Sequence, residues 1–136
     1  MSVVRRKILY VEDHKDTRDM VCLVLESSNF DVRMASTLEE GNRIAQEEVF
    51  DLYLLDMWLP DGVGLELVRV IREFDRATPI VFFSAAAYES DQTDALEAGA
   101  QAYLTKPVNL SELCDVISTL IECSEIARAT KAASVS

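Results

Sequence analysis

The sequence predicts one α/β domain in which five strands alternate with five helices around a doubly wound parallel sheet. Three observations lead there. The runs Lys7–Val11, Leu52–Leu55, Ile80–Phe83 and Ala102–Leu104 have strand length, and the two central ones are apolar throughout, which suits strands buried on both faces. The segments between the strands carry apolar residues at helical spacing. Strand and helix alternate without a break, so right-handed crossovers place helices on both faces and every strand's C-terminal end on one edge. A chain of 136 residues, 49% of them hydrophobic, fits one such domain with a real core.

Taken in order, Lys7–Val11 is β-rich and ends in the acidic pair Glu12-Asp13. A helix follows from about Lys15 to Ser27, with Met20, Val21, Leu23, Val24 and Leu25 as its inward stripe, and Asn29 breaks it. Asp31–Ala35 is more polar, as an edge strand is. Thr37 and Glu40 form a capping-box pattern for a helix that turns Leu38, Ile44 and Ala45 inward. Leu52–Leu55 runs straight into Asp56. Pro60, Gly62 and Gly64 then force a tight loop before a third helix marked by Leu65, Leu67, Val68 and Ile71.

The fourth strand opens at Thr78-Pro79 and ends at Ser84. The short helix around Ser90–Ala98 has only Leu96 and alanines to bury, so it is expected to be the least firmly packed, and Gly99 ends it. Lys106-Pro107 stops the last strand. Asn109 and Glu112 cap a final helix whose Leu113, Val116, Ile117, Leu120 and Ile121 follow the amphipathic rule. The residues beyond Cys123 are small, polar and alanine-rich; the domain is therefore expected over 5–123, with 124–136 a flexible tail.

Charge narrows the function classes. Thirteen basic against twenty-four acidic residues leave a net charge of −11, which repels nucleic acid and anionic membranes. No apolar run approaches the ~20 residues of a membrane span, and the run after Arg5-Arg6-Lys7 is too short for a signal peptide. The expected location is the cytoplasm. Cys22, Cys114 and Cys123 have no metal-like spacing, and nine residues of helix separate the last two onto opposite faces; packed, reduced thiols are expected.

The polar residues just past four different strands carry the chemistry. Glu12-Asp13, Asp56, Ser84 and Lys106 all fall on the C-terminal edge of the sheet, where open α/β folds bind ligands. Three carboxylates in one cleft repel one another, by about 4 kcal/mol per pair at 4 Å and an effective dielectric near 20. A hard divalent cation offsets that, and Mg2+ favours a few carboxylates plus water and phosphate oxygens. A carboxylate that accepts a phosphoryl group needs such a metal, a cation and a hydroxyl donor. Lys106 and Ser84 fit the last two roles.

These residues resemble the receiver domain of two-component response regulators, from residue 5 to about 123. The resemblance rests on Glu12-Asp13, on Asp56-Met-Trp-Leu-Pro-Asp-Gly-Val-Gly64, on Ser84, on Tyr103 and on Lys106-Pro107. It implies a flavodoxin-like (βα)5 sheet in the order 2-1-3-4-5 and a cis bond before Pro107. Asp56 becomes the phosphoacceptor, with Lys106 and Ser84 assisting, and Ser84 and Tyr103 form the switch. Glu12, Asp13, Asp56 and the backbone carbonyl of Trp58 become the Mg2+ ligands. Glu12 departs from the family's usual Asp. The side chains two residues after the acceptor and after the switch hydroxyl, Trp58 and Ala86 here, border the path of the hydrolytic water.

The implied function is a stand-alone receiver that takes phosphate from a histidine kinase or histidine phosphotransfer protein. It then presents a changed surface of fourth helix, fifth strand and fifth helix to a downstream effector protein, and catalyses only its own phosphorylation and dephosphorylation. Two other classes compete. An aspartyl-phosphate phosphatase of the haloacid dehalogenase type carries a second Asp two residues after the first, where Trp58 stands. A docking module that works without phosphate would have no use for the acidic pair, Ser84 and Lys106. Asp61, beside Gly62, reads as turn chemistry, His14 as an exposed helix start, and Trp58 as a partly exposed loop residue.

Overall fold

The computed structural model describes residues 5–85 and 88–134, the last four as backbone only. In chain order the elements are β1 (Arg6–Val11), α1 (Lys15–Ser27), β2 (Phe30–Ala35), α2 (Leu38–Glu47), β3 (Leu52–Leu55), β4 (Trp58–Leu59), β5 (Gly62–Val63), α3 (Gly64–Phe74), β6 (Ile80–Ser84), α4 (Glu89–Ala98), β7 (Ala102–Thr105) and α5 (Leu110–Ser134). Five strands form a parallel sheet in the order β2-β1-β3-β6-β7. With the small β4–β5 hairpin set aside, this is the flavodoxin-like 2-1-3-4-5 arrangement.

Alternation along the strands divides the core in two. Leu9, Val11, Tyr53, Leu55, Ile80 and Phe82 pack with Leu38, Ile44, Leu67, Val68 and Ile71 of α2 and α3. Ile8, Tyr10, Leu52, Leu54, Val81 and Phe83 pack with Val21 and Leu25 of α1 and Leu113, Ile117 and Ile121 of α5. Burial of one such side chain contributes roughly 1.5–3 kcal/mol. The central strands β3 and β6 are therefore pinned from both faces, and so is the register between them.

Several local expectations are corrected. On α1, Met20 and Leu23 are 51% and 66% exposed; only Val21, Cys22 and Leu25 are buried. Met20, Val21, Leu23, Val24 and Leu25 span too wide an arc for one face, and the 3–4 spacing of 21, 22 and 25 selects the inward part. On α4, Leu96 is half exposed and Ala95 is the buried residue, so small side chains bring this helix to the sheet. Cys22 is buried, but Cys123 is exposed rather than packed. The last helix does not end near Cys123. It runs on to Ser134, tied down by Arg6 to Glu125 (2.9 Å) and Arg128 to Thr78 (3.2 Å). Alanine-rich sequence propagates a helix readily once it is anchored. Among the described residues, no helix is long and apolar enough to cross a membrane.

Candidate functional site

Strand register brings the site together. Val11 pairs with Leu55 and Leu55 with Phe82, so Glu12 and Asp56 emerge side by side from β1 and β3. Ser84 pairs with Thr105, which sets Lys106 one residue beyond the end of β7. Parity then sorts the side chains. Glu12, Asp56 and Lys106 continue the alternation of Tyr10, Leu54 and Leu104 on the α1/α5 side, whereas Ser84 follows Phe82 on the side of Tyr103.

Asp56 is 7% exposed and fully engaged. Its Oδ1 accepts from the Ser84 hydroxyl at 2.8 Å and from the Trp58 backbone N–H at 3.3 Å. Its Oδ2 accepts from Lys106 Nζ at 3.2 Å. The same ammonium makes a short contact with Glu12 Oε1. Glu12 is buried at 1% exposure, and its Oε2 accepts from the His14 backbone N–H at 3.3 Å. Burial raises the Glu12 carboxyl above its ordinary value, and the Lys106 hydrogen bond opposes that rise. For Lys106 burial pulls the other way from its neighbours; the hydrogen bond to Glu12 and the charges of Asp56 and Glu12 win, and its pKa is raised. The lysine therefore stays charged between the two acids.

Asp13 is exposed beside them. Ligand oxygens of Glu12, Asp13 and Asp56 all lie within 4.8 Å of one another, the spacing a metal-binding group needs. Three carboxylates against one ammonium leave an excess negative charge at the mouth of the cleft. The donor set is all oxygen, partly buried and open on the Asp13 side, which fits Mg2+ with its retained waters.

The segment after the acceptor is a hairpin rather than an irregular loop: Trp58 pairs with Val63 and Leu59 with Gly62. Gly64 closes it. A Cβ there would sit 2.3 Å from the Asp56 carbonyl oxygen and 2.9 Å from the Phe82 ring, so only glycine lets α3 start this close to the acceptor strand. Asp61 lies with Pro60 in the two-residue turn of that hairpin, as the sequence reads it, and it has a second role. Its carboxylate accepts from the backbone N–H groups of Leu38 (2.8 Å) and Glu39 (3.0 Å), capping α2 from a distant loop, and those bonds lower its pKa. His14 is the exposed cap of α1, taking the Thr17 N–H at 3.2 Å. Trp58 is 56% exposed at the rim.

Tyr103 is half-buried and stacks on Phe82 with ring centroids 5.7 Å apart. Burial raises its pKa, against a hydrogen bond with Ser84. The Lys106–Pro107 bond is cis. Ala86 lies outside the described residues. Two contributors were missed from the sequence. Arg18 donates to the Glu12 carbonyl at 3.0 Å, and the buried hydroxyl of Tyr10 donates to Glu12 Oε1 at 3.4 Å. Burial first, then the Glu12 and Asp56 charges, push the Tyr10 pKa far up.

A parallel α/β sheet with an acidic cleft, a hydroxyl and a lysine on its C-terminal edge defines a class, and comparison with known proteins places the chain within it. The profile of the response regulator receiver domain matches residues 8–118, and the chain belongs to that family. It is 38% identical over 117 residues to the response regulator protein PilR of Pseudomonas aeruginosa, covering 86% of this chain and 26% of PilR. It is 41% identical over 106 residues to the KDP operon transcriptional regulatory protein KdpE of Escherichia coli, covering 78% of this chain and 47% of KdpE. The chain thus spans about a quarter to a half of these relatives. A CheY-like receiver domain protein of Methanospirillum hungatei superposes with a TM-score of 0.88 at 30% identity, over 91% of this chain and 99% of that one. The receiver domain of the sensor histidine kinase PA1611 of Pseudomonas aeruginosa, solved with magnesium coordinated in its active site cleft, gives 0.81 at 29%, over 88% and 99%.

Proposed function

We propose that Asp56 accepts a phosphoryl group from a phosphohistidine on a histidine kinase or phosphotransfer protein. An Asp56 carboxylate oxygen forms the new O–P bond, the N–P bond of the donor breaks, and its electron pair stays with the departing imidazole. The observation that carries this reading is the convergence of Ser84 and Lys106 on opposite oxygens of one buried carboxylate, beside two further acids. Lys106 already holds a positive charge against Asp56 and has only to follow the oxygens as they move onto phosphorus. Ser84 exchanges its bond to Asp56 for one to a phosphoryl oxygen. Glu12, Asp13 and Asp56 would hold Mg2+, which supplies positive charge against the phosphoryl oxygens. The magnesium reported for the PA1611 receiver supports that assignment.

Drawing the Ser84 hydroxyl toward the phosphoryl group shifts the oxygen that Tyr103 hydrogen-bonds, and Tyr103 packs against Phe82 and borders the surface of α4, β7 and α5. A downstream effector protein reads that surface. The chain acts only on its own phosphoryl group.

Incubation with acetyl phosphate and Mg2+, followed by intact mass, tests the assignment. Wild type should accumulate an adduct, and Asp56→Asn, which is isosteric, should keep its fold and gain none. An undiminished adduct in the mutant would move the acceptor elsewhere. Turnover without an adduct would indicate a phosphatase, and no reaction a docking module.

A further inference from the structure

Tyr10 is fully buried among Ile8, Val21, Leu25 and Leu54. A phenylalanine would fill that space equally well, so packing calls for the ring and not for the hydroxyl. A hydroxyl at this depth needs a partner. Strand alternation sets residues 10 and 12 on the same side of β1, and the partner is Glu12 Oε1 at 3.4 Å. Glu12 has one more rotatable bond than an aspartate, so its carboxylate loses more freedom when fixed.

Two other groups hold Glu12: the His14 backbone N–H bonds Oε2 at 3.3 Å, and Lys106 contacts Oε1. Lys106 is shared with Asp56, and once Asp56 is phosphorylated the ammonium has the phosphoryl oxygens to neutralise as well. Lys106 also cancels the negative charge that draws a cation in. The Tyr10 hydroxyl is neutral; it orients Glu12 without reducing that charge.

We propose that Tyr10 is a positioning residue for the divalent cation: its hydroxyl holds the longer Glu12 carboxylate in register with Asp13 and Asp56. The inference rests on the Mg2+ reading above. The test is isothermal titration of the full chain with Mg2+, for wild type, Tyr10→Phe, Glu12→Asp and the double variant, with metal-free melting temperatures alongside. Tyr10→Phe should weaken Mg2+ binding roughly three- to tenfold, the range of one weak hydrogen bond, since 3.4 Å is long for a hydroxyl on a carboxylate, and move the metal-free melting temperature by only a few degrees. In the Glu12→Asp background the same change should alter the dissociation constant less than about twofold, because the shorter carboxylate gains little from the hydroxyl. Equal affinity of Tyr10→Phe and wild type overturns the proposal. So does an equal loss in both backgrounds, which would mean an effect through packing, and so does a Tyr10→Phe chain that loses its fold. A wild type that takes no Mg2+ overturns the metal reading and this inference with it.

Discussion

Replacing Asp13 with asparagine separates a metal ligand from a structural acid. Its carboxylate lies within 4.8 Å of ligand oxygens on Glu12 and Asp56, and Lys106 balances one of those two charges. Asp13 therefore faces about one net negative charge from the acids, offset in part by the Arg18 guanidinium, which bonds the backbone carbonyls of Glu12 and Asp13. At that separation the repulsion is about 3.5 kcal/mol at an effective dielectric of 20 and about 0.9 kcal/mol in bulk water. Asp13 is exposed and Arg18 offsets part of the repulsion, so the low end applies, about 1 kcal/mol. Unfolding entropy scales to about 0.29 kcal/mol per kelvin for 136 residues. Asp13→Asn should thus raise the metal-free melting temperature by about 3 °C at low salt, and by less at high salt as the charges are screened. With saturating Mg2+ the order should reverse, since wild type gains more from binding. The assay is thermal denaturation at two salt concentrations, with and without Mg2+. A clear loss of metal-free stability in Asp13→Asn would refute the reasoning and make Asp13 a structural residue.

Two further outcomes follow from the geometry. A Ser84 hydrogen bond to a charged phosphoryl group is worth roughly 1.5–3 kcal/mol, short of the ~5.5 kcal/mol that moves a state from 1% to 99%; Ser84→Ala should accept phosphate yet lose on the order of 10- to 150-fold in phosphorylation-dependent partner affinity, and an unchanged affinity would remove Ser84 from the switch. Burial, with Glu26 beside it, pushes the Cys22 thiol up to about 11 from 9.0, so the fold favours the neutral thiol; the stabilisation is complete below about pH 9 and is lost as pH rises through about 11. Alkylation mapped by mass spectrometry at pH 8 should find Cys22 at least roughly 100-fold slower than exposed Cys123, and similar rates would contradict the burial of α1.

The site was more legible than the packing around it, for a physical reason. Glu12, Asp56 and Lys106 each follow a strand directly and Ser84 ends one, and a parallel sheet puts all such positions on one edge. Alternation and register do the rest. Contacts that depend on depth leave no such trace. Tyr10 reads as one more β-favouring residue in an apolar run, and only its full burial makes its hydroxyl informative. Asp61 beside Gly62 reads correctly as a turn residue, but its cap on a helix that begins 23 residues earlier leaves no trace in the sequence. The continuation of α5 was hidden because the apolar pattern stops near Cys123. Anchors on distant residues, Arg6 and Thr78, hold the helix beyond that point.

Trp58 bears on how long the phosphoryl group lasts. Hydrolysis of an aspartyl phosphate requires a water in line behind phosphorus, held by groups that orient it. The Trp58 backbone is tethered at the acceptor through its N–H to Asp56 Oδ1 at 3.3 Å, and it opens the β4–β5 hairpin. Its position is fixed even though 56% of the residue is exposed. An indole donates one hydrogen bond and accepts none, so a side chain here cannot draw a water's proton away. An asparagine at the same place carries an amide carbonyl that can. Trp58→Asn should therefore shorten the lifetime of the Asp56 adduct, and Ala86→Glu, a change resting on sequence alone, should shorten it further. The chain has a single tryptophan, so its fluorescence should also report Mg2+ or beryllofluoride at the neighbouring carboxylates. The decisive measurement is decay of the adduct after the phosphodonor is removed, followed by intact mass. If the Trp58→Asn adduct decays no faster than wild type, the indole does not limit hydrolysis, and the rate is set by the groups that already hold Asp56.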